Sequence, residues 1–334
     1  MLLTQRLSRR ALLARSRWTT FLLLALPGVT TVCFPPVRVT PPSADASAEE
    51  VALSGAAVMI GAGDIGMCNS RGDDSTAAIV DSVLKADSAA NVEDAVFTLG
   101  DHAYESGTTR EFALCWGGSW GDTAKRIMKK IRPAVGNHEY VSAGAAPYFK
   151  YFGARAGDPQ KGYYAYDLGE WRVIVLNSEI PINSQFNLED RTAQEDWLRA
   201  EFKTNPKKCT VSYIHRPLFS SGGHGAQTGM HPLYSILFEG GVELVLAGHD
   251  HSYERFAPMN PAGMVDTVGG LTQIVVGTGG TGLRGLTTPL ARNSAYSIQG
   301  HHGVLKLTLG GGAWRSAFID VGGRVWDRSG GTCH

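Results

Sequence analysis

An α/β fold built on a parallel sheet is predicted by three observations. Short apolar, β-favouring runs alternate with helical spacing through the first half of the chain, the order that makes strand–helix–strand units. Five apolar runs end in residues that carry chemistry: Gly63-Asp64, Gly100-Asp101, Gly136-Asn137-His138, His215 and Gly248-His249-Asp250-His251. Open α/β sheets place their ligands outside the carboxyl ends of their strands. The 334 residues, 43% hydrophobic and 19% charged, are enough for a packed core.

The chain opens with a basic segment, Arg6, Arg9, Arg10, Arg15 and Arg17, followed by a mostly apolar stretch from Phe21 to Val32. That stretch is too short to span a bilayer. Small residues at Ala44-Asp45-Ala46 and Ala46-Ser47-Ala48 offer A-x-A cleavage sites. Residues 1–46 therefore read as an export signal. Ser8-Arg9-Arg10-Ala11-Leu12-Leu13 is similar to a twin-arginine signal. The mature protein is expected outside the cytoplasm, with no stable membrane insertion once the signal is cleaved. Residues 47–56 read as a linker, and 57–334 as one domain.

The leader holds six arginines and one acid, which leaves 25 basic and 30 acidic residues, a net of −5, for the remainder. That balance argues against a nucleic-acid partner. Cys33 leaves with the leader. The four cysteines that remain, Cys68, Cys115, Cys209 and Cys333, suggest disulfides in an exported chain. Cys68 and Cys115 both follow predicted strand ends, which favours that pair and leaves Cys209 with Cys333; three connectivities stay open.

The first strand is read over Ala57–Gly63. Ser75–Ala86 has helical spacing, with Asp74 as the expected N-cap. Val96–Leu99 is a buried strand that delivers Asp101, His102 and Tyr104 within a few residues. A mixed helical region covers Arg110–Lys130, and a third strand covers Ile131–Val135. An aromatic cluster from Tyr148 to Tyr166 reads as core and loop packing. Strands follow at Trp171–Asn177, Cys209–Ile214 and Val242–Ala247, with helices at Thr192–Phe202 and Pro232–Glu239. Gln273–Val276, Gly303–Leu309 and Trp314–Asp320 lie where helices are scarce, and they read as antiparallel strands of a second sheet. The glycine-rich Gly277–Gly282 lacks the Lys-Ser/Thr of a P-loop and reads as a turn near the rim of a site.

One aspartate after a strand is ordinary capping chemistry, and one histidine is an ordinary core residue. Five such endings on one sheet edge are harder to attribute to capping. His249 and His251, two apart on an extended segment, project to one side and can serve two adjacent metals. Carboxylates with imidazoles suit Fe, Mn or Zn better than copper.

The ordered set Gly63-Asp64, Gly100-Asp101-x-x-Tyr104, Gly136-Asn137-His138-Glu139, His215 and Gly248-His249-x-His251 resembles the calcineurin-like metallophosphoesterases. Tyr104 narrows the resemblance to the purple acid phosphatase branch. The resemblance implies a four-layer sandwich of two facing mixed β-sheets flanked by helices. It implies two metal ions: Fe(III) held by Asp64, Asp101, Tyr104 and His251, and a divalent Fe, Zn or Mn held by Asp101, Asn137, His215 and His249. It implies a small phosphoester substrate, His138 as general acid, and His224, in a Ser/Gly-rich loop, as a substrate-side residue. His215 sits one position later than the usual V-x-x-H spacing, and His102 receives no role. Three functions compete: a phosphomonoesterase, a phosphodiesterase or nucleotidase on the same centre, and a metal-bound surface-binding protein without turnover.

Overall fold

The computed structural model describes residue 53 and residues 56–334. The leader, and all of the linker except residues 53 and 56, lie outside the described residues. Two sheets face each other. The first has the order β13-β12-β11-β1-β2-β3 and the second β10-β8-β9-β7-β6-β5-β4.

The centre of the first sheet is β1 (Ala57–Ala62), β2 (Asp94–Leu99) and β3 (Ile131–Ala134), which are mutually parallel. Between β1 and β2 lies α1 (Gly72–Ala90), whose Ala77, Val80 and Leu84 are buried. α1 begins before the expected Asp74 cap, so Asp73 and Asp74 fall in its first turn, where carboxylates still complement the positive end of the helix dipole. Short helices α2 (Thr109–Glu111) and α3 (Ile127–Lys130), with a π-helical turn over Phe112–Trp116, replace the expected mixed helical region. α4 (Ala146–Phe152) carries part of the aromatic cluster, and Tyr148, Phe149 and Phe152 are buried as expected.

The second sheet is built on parallel β5 (Trp171–Val175), β6 (Cys209–Tyr213), β7 (Leu244–Ala247) and β9 (Thr272–Val276). On its outer side α5 (Leu188–Thr204) and α6 (His231–Glu239) bury Leu198, Leu233 and Leu237 with Ile174 and Val245. α5 starts four residues before the expected Thr192, at a capping box in which Asn187 and Asp190 bond each other's backbone N–H groups.

Two expectations are corrected. β11 (Gly303–Gly310) and β12 (Ala313–Asp320) are antiparallel as read, but they extend the first sheet beyond β1, with β13 (Val325–Thr332) outside them. Gln273–Val276 does join the second sheet, but parallel to β7. Four strands were not anticipated: β4 (Tyr164–Leu168), β8 (Tyr253–Phe256), β10 (Ser294–Ile298) and β13.

Between the sheets, Phe97 meets Tyr213 and Tyr253 stacks on Phe318, with ring centroids 6.0 and 4.2 Å apart. Both favoured disulfides are present, Cys68–Cys115 and Cys209–Cys333. The layers run helix, sheet, sheet, helix, as the resemblance implied.

Candidate metal centre

The five strand ends belong to two sheets rather than one edge: β1, β2 and β3 of the first, β6 and β7 of the second. Backbone bonds lock their turns together. Asp64, Ile65 and Gly66 donate to the carbonyls of Gly100, Asp101 and His102. Gly248 N–H donates to the His215 carbonyl across β6 and β7, and His249 N–H donates to Asp64 Oδ2 at 2.8 Å, joining the two sheets. The glycines of the motifs are where turns touch. A Cβ on Gly100, whose φ is +85°, would meet the His215 ring at 2.6 Å, and one on Gly136 would strike the Asp101 carboxylate. Asp64, Asp101 and His249 themselves have φ of 60°, 52° and 71°. That left-handed conformation costs a non-glycine residue energy and clusters at functional sites.

All seven expected ligands converge. Tyr104 Oη lies 3.0 Å from Asp64 Oδ1, 3.2 Å from Asp101 Oδ2 and 3.3 Å from His251 Nε2. His215 Nε2 lies 3.0 Å from Asn137 Oδ1, 3.2 Å from Asp101 Oδ2 and 3.2 Å from His249 Nδ1. Donors held about 2.0–2.2 Å from one ion stand roughly 3.0–3.5 Å apart, so both sets fit an ion at their centre. The same oxygen, Asp101 Oδ2, belongs to both.

The imidazoles are aimed by their far nitrogens. His215 Nδ1 donates to the Leu99 carbonyl and His251 Nδ1 to the Gly282 carbonyl, each at 2.7 Å. Each Nε2 is thereby left facing the cluster, the arrangement common to metal-ligating histidines. The charges point the same way. Burial opposes charge on His215, but Asp101 beside it holds the imidazole up at about 9. Burial, reinforced by His215 and Arg216, drives His249 far down. Burial and the carboxylates of Asp64 and Asp101 push the Tyr104 phenol well above its usual value. A cation among these groups would favour the Tyr104 phenolate and take the place of the proton on His215, while His249, held neutral, keeps a lone pair free to ligate.

His138 stands beside the cluster. Its N–H donates to Asp101 Oδ1 at 2.9 Å, and its Nδ1 donates to the Glu105 carbonyl at 2.6 Å. Nε2 then faces the site, 3.8 Å from Asp101 Oδ2. His224 is at the exposed rim, its ring stacked on His249 with centroids 4.3 Å apart.

Sequence reasoning missed the residues that support these groups. The buried Glu139 carboxylate accepts from Asp101 N at 2.9 Å, His102 N at 2.7 Å and Gly136 N at 2.8 Å, so it ties the β2 turn to the β3 turn. His102 backs Glu139 from within the aromatic cluster, its Nε2 2.7 Å from Thr98 Oγ1. Asp250, between the two ligand histidines, accepts from His224 N and Ser220 Oγ and so holds the loop that carries His224. Arg216, paired with buried Glu179, places Nη1 3.1 Å from His249 Nε2, on the side of that ring away from the cluster. The only signals for Glu139 and Asp250 were their places inside motifs that had already drawn attention.

Comparison with known proteins follows the same line. The chain is 25% identical to human acid phosphatase type 7 over 201 residues, 53% of this chain and 44% of that protein. It is 31% identical to purple acid phosphatase 21 of Arabidopsis thaliana over 140 residues, 37% of this chain and 30% of that one. It therefore spans half or less of the length of these relatives. The fold is shared with purple acid phosphatase PPD1 of yellow lupin, at TM-score 0.66 and 18% identity over 82% of this chain and 53% of that one. It is also shared with GAP50, described as the anchor in the inner membrane complex of Plasmodium, at TM-score 0.67 and 13% identity over 84% and 89% of the two chains. The sequence profile of the calcineurin-like phosphoesterases matches residues 60–253, a segment that holds every candidate ligand together with His138 and His224. The chain belongs to the calcineurin-like phosphoesterase family.

Proposed function

We propose that residues 57–334 form a dinuclear-metal phosphomonoesterase of the purple acid phosphatase kind. The observation that carries this reading is the sharing of Asp101 Oδ2, which lies 3.2 Å from both Tyr104 Oη and His215 Nε2. Asp64, Asp101, Tyr104 and His251 hold Fe(III), for which a phenolate is a hard anionic ligand. Asp101, Asn137, His215 and His249 hold a divalent Fe, Zn or Mn, the neutral Asn137 leaving that set with less negative charge. When bound, such ions polarise a phosphoryl group and lower the pKa of water.

The side chains supply the rest. His138 has its Nδ1–H tied to the Glu105 carbonyl, so a proton on Nε2 is the one it can give to the departing alcohol oxygen. His224, held over His249 by Asp250, is the side chain we assign to a substrate oxygen. Asp64, Asp101 and His215 are fully or almost fully buried, which keeps bulk water from competing for the cluster. We also place the mature protein outside the cytoplasm. Two disulfides support that reading, and no helix among the described residues is long and apolar enough to cross a membrane.

The test is hydrolysis by metal-loaded protein of 4-nitrophenyl phosphate against bis(4-nitrophenyl) phosphate. A preference for the monoester is expected. Preference for the bis-ester moves the assignment to a phosphodiesterase, and no turnover between about pH 4 and pH 9 leaves a metal-binding protein without catalysis.

A further inference from the structure

The segment after the glycine-rich turn is tied to the candidate centre along its length. Gly279 N–H donates to the Gly63 carbonyl and Thr281 N–H to the Asp64 carbonyl, and Gly282 accepts from His251 Nδ1. A Cβ on Gly279 would meet the Gly63 carbonyl oxygen at 2.5 Å, so glycine is needed there for close approach and not to cradle a phosphate. The segment then delivers Arg284, whose N–H donates to the His251 carbonyl at 3.0 Å and whose Nη1 donates to His224 Nε2 at 2.6 Å. Farther on, Thr287 bonds Ser221 through both its N–H and its hydroxyl. The loops of Arg284 and His224 are thereby fixed to each other.

Three arginines of the second sheet and the loop after β6, Arg172, Arg216 and Arg255, each pair with a carboxylate. Arg284 instead spends a donor on an imidazole. Asp250, the acid next to that imidazole, is occupied by Ser220 Oγ and His224 N. Among the described residues, no carboxylate pairs with the Arg284 guanidinium fixed at the rim. A guanidinium is a planar fork suited to phosphate oxygens.

We infer that Arg284, set by its bond to His224, is a specificity residue that binds a second phosphate next to the phosphoryl group held at the centre, so that the preferred ligands are bisphosphate or phosphoanhydride in chemistry. The inference deepens the proposed function and rests on it for the placement of the first phosphoryl group. His224 reaches the group over the ligand histidines, and Arg284, one side chain farther out, reaches its neighbour.

The test is calorimetric binding to metal-loaded protein of methylenebisphosphonate, which cannot be hydrolysed at its bridge, and of orthophosphate, with metal content checked before and after. Arg284 is exposed, so Arg284→Ala is expected to fold. The wild type should prefer the bisphosphonate, and Arg284→Ala should lose about tenfold or more of its affinity for it, the scale of a charge-assisted phosphate contact, with orthophosphate changed less than about threefold. An unchanged preference in Arg284→Ala, or an equal loss for both anions, overturns the inference. Hydrolysis of 4-nitrophenyl phosphate by the wild type is read separately. A wild type that hydrolyses no ester yet shows the selective loss keeps the clamp and removes the hydrolase, whereas an active enzyme with unchanged selectivity does the reverse.

Discussion

Glu139→Gln is the sharpest test of how the centre is held. Glu139 is fully buried. Its Oε2 accepts from the backbones of Asp101 and Gly136, and its Oε1 from the backbone of His102. Glutamine keeps one acceptor oxygen. If that oxygen takes Asp101 and Gly136, the amide NH2 faces His102 N–H, and one buried donor loses a charged acceptor. Such a loss costs about 1.5–3 kcal/mol. For a domain of this size that lowers the melting temperature by roughly 3–5 °C. Asp101 and the turn bearing Asn137 then lose their tether, and a supporting contact of this kind is worth about 10–100-fold in metal affinity or activity. Glu139→Ala leaves three buried N–H groups without acceptors, costs about 4.5–9 kcal/mol, and approaches the whole stability of a marginal domain. The assay is thermal melting with metal titration of the glutamine variant. Wild-type melting together with wild-type metal affinity would refute the tether.

Three further outcomes are expected. Asp101→Ala removes the shared ligand and the acceptor of His138 N–H, so it should lose at least one metal, whereas His138→Ala should keep both metals and lose turnover; metal analysis with kcat on the two variants separates these, and full metal in the Asp101 variant would refute the bridge. Iron-loaded wild type should show a visible phenolate-to-Fe(III) band that Tyr104→Phe lacks while still folded; a band that survives the mutation removes Tyr104 from the ligand set. Burial pushes the Glu243 carboxyl up to about 7, against an N–H donated by Thr210. The folded state therefore binds the extra proton, and stability falls by about 3 kcal/mol as pH rises from about 4.5 through 7. Glu243→Gln should flatten that fall, and parallel melting curves for the two proteins at about pH 5 and pH 8 would contradict it.

The interior strands were legible because burial on both faces writes an apolar run into the sequence. β1 and β2 are buried at every position. β4, β10 and β13 lie at sheet edges, where one side of the strand has no partner, and their sequences, YAYDL, SAYSI and VWDRSGGT, carry polar and glycine residues in place of the signal. Sheet membership was hidden for another reason. β11 pairs with β1 across more than two hundred residues of chain, and nothing local to Gly303–Gly310 distinguishes that partner from any other. The same limit applies to α5: apolar spacing marks its middle, while its true start is a polar exchange between Asn187 and Asp190.

The ligands were readable because each follows a strand end, and four of the five endings repeat a pattern, glycine followed by a donor, His215 being the exception. The structure gives that pattern a steric cause. Gly100 leaves room for the His215 ring and Gly136 for the Asp101 carboxylate, so the glycines bring the turns close enough for their donors to meet. Asp64, Asp101 and His249 then accept a left-handed backbone, a cost their neighbours must offset. Glu139, Asp250 and the Asp64 carboxylate offset it by binding backbone N–H groups of other turns. The supporting roles of Glu139 and Asp250 were not legible in the sequence because their work is done on main-chain groups, which every residue carries alike. A motif therefore discloses which atoms can hold a metal, while the residues that fix the distance between those atoms emerge only when the turns are assembled.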